Sequence, residues 1–96
     1  MLEVKGTLIK VFNIQKISEN FTTKEFVVET HDYPYPQKII LKLINDKCHD
    51  LHGIELGEDL ICNFNIRGRE WMGHTDGKPR YFNSIECWKI RRANAE

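Results

Sequence analysis

The sequence predicts an all-β domain: a five-stranded OB-fold barrel with one short helix between the third and fourth strands. Three observations carry this. Apolar residues alternate with polar ones along five separate segments. Glycine and proline clusters punctuate those segments. The single helical signal falls after the third strand, where an OB-fold places the helix that covers an open barrel end.

The first strand is expected from Glu3 to Gln15, with Val4, Leu8, Ile9, Val11, Phe12 and Ile14 as its apolar residues. Gly6 inside it marks a bulge or a close backbone approach, and the double apolar step Leu8-Ile9 fits a bend. Residues Ile17 to Thr23 read as a polar loop in which Phe21 is exposed. The second strand, Lys24 to Thr30, puts Phe26 and Val28 on one face. Tyr33-Pro34-Tyr35-Pro36 is a turn, because two prolines remove two ladder donors, and its tyrosines form either a stacking surface or, ahead of it, a lid over a barrel end.

The third strand, Gln37 to Ile44, has Ile39, Leu41 and Leu43 on one face and Ile40, Lys42 and Ile44 on the other. Asn45 is placed to cap a helix of about two turns that Gly53 closes. In the fourth strand Leu60, Cys62, Phe64 and Ile66 read as core, and Ile61, Asn63, Asn65, Arg67 and Arg69 as the outer face. A polar loop from about Met72 to Arg80 leads to the fifth strand, Tyr81 to Ile90. Phe12, Phe26, Phe64, Phe82 and Trp88 are assigned to the core. One domain is expected over residues 1–92, with residues 93–96 expected as a frayed tail.

The 96 residues contain 14 bases and 14 acids, so the formal net charge is zero. The charges are segregated, however. Residues 43–62 hold five acids against Lys47, whereas residues 67–92 hold seven bases against Glu70, Asp76 and Glu86. A neutral total can therefore conceal a basic face. Three cysteines without CxxC spacing do not describe a disulfide framework. Together with the lack of a leader-like or membrane-spanning apolar run, they suggest a reduced, cytoplasmic protein with no membrane partner.

The site chemistry points the same way. Asn65, Arg67, Arg69 and Trp71 share the parity of one strand face. Arginines pair with phosphates and stack on bases, and an aromatic ring can hold a base. Trp71 either stacks a base or packs its own loop. Lys78, Arg80 and Tyr81 stand at the far end of that loop, and Lys24, Lys42 and Ile40 would extend the track across the second and third strands. No phosphate loop, HExxH or nucleophile elbow is present, so no enzyme activity is expected. Cys48 and His52 have i, i+4 spacing, but four zinc ligands are not assembled, and neither a metal nor a cofactor is expected.

Several segments are similar to the small bacterial domains called domain of unknown function 3127: Leu2-Glu3-Val4-Lys5-Gly6, Glu25-Phe26-Val27-Val28-Glu29-Thr30, Tyr35-Pro36, and Ser84 to Ile90. The most specific is Phe64-Asn65-Ile66-Arg67-Gly68-Arg69-Glu70-Trp71 followed by Gly73. Those domains resemble OB-fold single-stranded-DNA-binding proteins. The resemblance implies sequence-tolerant binding of single-stranded DNA ahead of RNA, and a homodimer or homotetramer. The alternative is a self-association module that binds no nucleic acid, favoured by the outward Ile40, Ile44 and Ile61.

Overall fold

The computed structural model describes residues 2–93, and the tail expected at 93–96 falls, past Ala93, outside them. The strands are β1 (Leu2–Val11), β2 (Gln15–Ser18), β3 (Phe21–Thr30), β4 (Lys38–Ile44), β5 (Asp59–Met72) and β6 (Pro79–Arg92). Five close into a ring in the order β1-β5-β6-β4-β3, which returns to β1. All pairings are antiparallel except β4 with β6, which join in parallel at Lys42 and Glu86. This is the expected OB-fold barrel.

β1 serves two neighbours. Residues 2–7 pair with β5 and residues 6–11 with β3. Gly6 stands where the two ladders overlap, opposite both Leu60 and Thr30. A Cβ there would lie 2.6 Å from the Glu29 carbonyl oxygen, so only glycine lets the strands approach this closely. The register slips between Leu8 and Lys10, which makes Ile9 a bulge at the double apolar step that suggested a bend.

The interior is built from Leu8, Phe26, Val28, Leu41, Leu43, Leu60, Cys62 and Cys87, with Cys48 and Leu51 closing one end. Each large aliphatic or aromatic side chain so buried contributes about 1.5–3 kcal/mol. All three thiols are buried and free. The hydrogen bond with Cys87, reinforced by burial, pushes the Cys62 thiol up and keeps it protonated.

Four expectations are corrected. The helix is one 3₁₀ turn, Asn45–His49, without a side-chain cap. Asn45 does not cap it because its Oδ1 accepts the Thr22 backbone N–H at 2.8 Å. The polar loop at 17–23 contains a hairpin, since β2 pairs with β3. Tyr33 and Tyr35 are 96% and 76% exposed, so they cover no barrel end. Asn63, assigned outward, is buried opposite Glu3, to whose carboxylate its Nδ2 donates.

The core assignments fail where strands leave the barrel. Ile66 and Phe82 are 61% and 50% exposed. Beyond Phe64, every β5 residue is exposed, and so are residues 79–83 of β6. The two strands continue as a projecting hairpin arm with neither face covered at its tip. The radius of gyration, 15.1 Å, records this; a compact chain of this length would have about 12.5 Å. Phe12 is also exposed, with the Lys10 ammonium 5.6 Å from its ring. Phe64 and Trp88 are half-buried, Trp88 being the residue skipped in register between Cys87 and Lys89. Among the described residues no helix is long and apolar enough to cross a membrane.

Candidate nucleic-acid interface

The arm sorts its side chains by parity. One face carries Asn65, Arg67, Arg69 and Trp71 from β5 against Glu86, Ser84, Phe82 and Arg80 from β6. The other face carries Ile66, Gly68, Glu70 and Met72 against Ile85, Asn83, Tyr81 and Pro79. At the arm's tip, Gly77 adopts φ 64°, and the Asp76 carboxylate accepts the Lys78 N–H at 3.0 Å.

Where the arm leaves the barrel, a groove of about 610 Å³ opens. Ile17 and Phe21 of the β2–β3 hairpin line one side. Lys42 enters from β4, and Arg67, Arg69, Phe82 and Glu86 come from the arm. An apolar, aromatic-bearing wall therefore faces a cationic one. Such a combination can stack bases and hold phosphates at once.

The cations are held differently. The Arg67 guanidinium donates from Nε to Glu86 Oε1 at 3.2 Å and remains 63% exposed. Arg80 pairs with Asp76 at 2.9 Å. Arg69 lies over the Phe82 ring, 6.0 Å from its centroid. Trp71 packs edge-on against Phe82 and His74, at 6.4 and 5.7 Å between centroids, and keeps 39% of its surface exposed. Among the described residues neither Lys42 nor Arg69 forms an ion pair.

The structure thus gathers Lys42, Arg67 and Arg69 at one groove and strings Asn65, Trp71 and Arg80 along the same arm face. Lys78 sits in the arm's turn. Two residues fall elsewhere. Tyr81 pairs with Glu70 and projects from the opposite face of the arm. Lys24 is in register with buried Leu43 and lines a separate hollow of about 390 Å³ beside the 3₁₀ turn, with Ile14, His49 and His52. Its parity, that of Phe26 and Val28, already placed it off the outer face.

Sequence reasoning missed Ile17 and Glu86 as site residues, treated Phe21 only as an exposed loop residue, and assigned Phe82 to the core. The signal for Ile17 and Phe21 was their position between the first two strands of the ring, a connection that contacts ligand in OB-folds. Phe82 has no local signal, because its alternation is that of a core residue.

The sequence matches the family described as Domain of unknown function (DUF3127) over residues 3–91, and the chain belongs to that family. No curated protein matches it by sequence. Among solved structures, it is similar to the mitochondrial single-stranded DNA binding protein Rim1 of S. cerevisiae. The TM-score is 0.71 at 10% identity, over 96% of this chain and 92% of that one. At that identity the likeness speaks for the shared fold.

Proposed function

We propose that this chain binds single-stranded nucleic acid, DNA ahead of RNA, without sequence preference and without catalysing a reaction. One observation carries the reading: Lys42, Arg67 and Arg69 converge on a groove whose other members include the exposed rings of Phe21 and Phe82. Phosphates would lie along the cations while bases stack on the rings, with Trp71 continuing the track up the arm. The structural likeness to a single-stranded DNA binding protein supports this. Three buried free thiols suit a reducing compartment such as the cytoplasm.

A fluorescent oligothymidine titrated at several salt concentrations tests the proposal. With three phosphates neutralised, log K should fall against log salt with a slope of about −2, at roughly 0.7 per phosphate on single strands. Absence of binding at micromolar protein and low salt, or binding insensitive to salt, refutes it.

A second reading concerns the arm's other face, where Ile66, Met72 and Tyr81 are 61%, 54% and 71% exposed. We infer that this face supports self-association into a dimer or tetramer, compatible with binding on the arginine face. Sedimentation of the wild type and of Ile66→Glu tests it: the wild type should assemble and the variant should not.

A further inference from the structure

Glu86 sits at the meeting point of the groove's cations. It is the β6 residue at which the barrel closes in parallel register with Lys42. In the antiparallel direction it faces Asn65, and its carboxylate reaches diagonally to Arg67 Nε at 3.2 Å. Its side chain is 30% exposed, so this is a surface contact, open to exchange with a ligand. One carboxylate thus stands between two of the three cations that line the groove.

A guanidinium offers its donors to a carboxylate or to a phosphate in much the same geometry. In the free protein, Glu86 holds the Arg67 donor that a phosphate would use. Resting on the nucleic-acid reading above, we propose that Glu86 is an internal competitor for the phosphate backbone, an affinity-setting residue that a bound strand must displace from Arg67. Two features argue that its role is not structural. The Arg67 side chain is largely exposed, and an exposed ion pair adds little to stability. The neighbouring arginine of the same face, Arg69, is positioned by an aromatic ring instead of a carboxylate, so the arm does not need an acid to order its guanidinium groups.

The competitor partly offsets the positive charge that Lys42, Arg67 and Arg69 bring to the groove. It also predicts that binding is weaker than the cations alone would provide. Asp76 holds Arg80 similarly, but it also accepts the Lys78 N–H, so its removal would disturb the turn. Glu86 is the clean handle.

The test is the affinity of the intact chain for fluorescent oligothymidine at low salt, in wild type, E86Q, R67Q, the double variant and E25Q. Glu25 is opposite Lys42 in register, on the neighbouring strand, and forms no ion pair among the described residues, so E25Q removes the same charge without freeing Arg67. E86Q should bind about three- to fivefold tighter, the upper part of the range an exposed ion pair can supply. Its salt slope should stay near the wild-type value, since Arg67 meets a phosphate in both complexes. In the R67Q background the gain should shrink to less than about twofold, and E25Q should give less than E86Q. An E86Q affinity equal to wild type overturns the proposal. So does a gain of equal size in the R67Q background or from E25Q, since either would show only an effect of net charge. If neither wild type nor E86Q binds, the nucleic-acid reading itself has failed.

Discussion

Arg69 and Phe82 are cross-strand partners on the projecting arm, and the guanidinium carbon of Arg69 lies 6.0 Å from the centre of the Phe82 ring. Neither residue touches the barrel core, since this stretch of both strands is exposed. The arginine and the ring therefore order one another on an otherwise open surface. A cation held over an aromatic face is worth about 0.5–1 kcal/mol at an exposed site. That suffices to bias the side chains toward a shared geometry without burying either.

Phe82→Ala is expected to weaken oligothymidine binding by about 1–3 kcal/mol, the range for one lost stacking ring. Its melting temperature should fall by only about 2–8 °C, because the ring is half-exposed and the lost Arg69 contact amounts to about 0.5–1 kcal/mol. Anisotropy titration and a thermal melt on the same sample check both halves. Large destabilisation with unchanged affinity would return Phe82 to the core.

Arg69→Gln should reduce affinity by a similar factor for oligothymidine and for mixed-sequence strands, and reduce the magnitude of the salt slope by about 0.7. The comparison of two sequences decides between phosphate contact and base readout. A loss confined to one sequence would assign Arg69 to base recognition.

Gly6→Ala should destabilise the barrel by about 1–3 kcal/mol, the usual penalty for overpacking. The cause is the 2.6 Å separation between the added Cβ and the Glu29 carbonyl oxygen, a backbone atom that cannot rotate aside. For a domain of this size each kcal/mol lowers the melting temperature by roughly 4–8 °C. A melt indistinguishable from wild type would show that β1 and β3 can separate at no cost.

Glu58 supplies a pH-dependent tie. Its carboxylate accepts the Glu55 N–H at 2.6 Å and the Arg92 Nε–H at 2.8 Å. These bonds, the backbone one first, hold its carboxyl below the ordinary value of 4.5. A depressed folded value means that the stabilisation is present above 4.5 and disappears as pH falls through the folded value. Glu58→Gln should therefore melt below wild type at neutral pH, and the two curves should converge in acid. Parallel curves throughout would dissociate Glu58 from the acid sensitivity of the fold.

Much of the barrel was legible because its determinants are local. The alternation along β4 is one example: Ile39, Leu41 and Leu43 point inward and Ile40 outward, as their two-residue period requires. Gly6 and the Leu8-Ile9 step likewise announced a close approach and a bend. The Arg67 and Arg69 face was legible by the same parity. Asn45 was not, because the choice between capping a helix and accepting the Thr22 N–H depends on a strand more than twenty residues away.

Local patterning was enough to set the strand periodicity, the order of the five ring strands and, Asn63 aside, the two faces of the fourth strand within the barrel. Periodicity assigns residues to faces but does not say whether anything covers a face. That was settled in three dimensions, where β5 and β6 run past the barrel so that Ile66 and Phe82, patterned like core, stand in solvent. The same closure brought Phe21 and Lys42 to Arg67 and set Glu86 among them. Burial and convergence arise from contacts between segments distant in the chain, so they have no signature in any one segment.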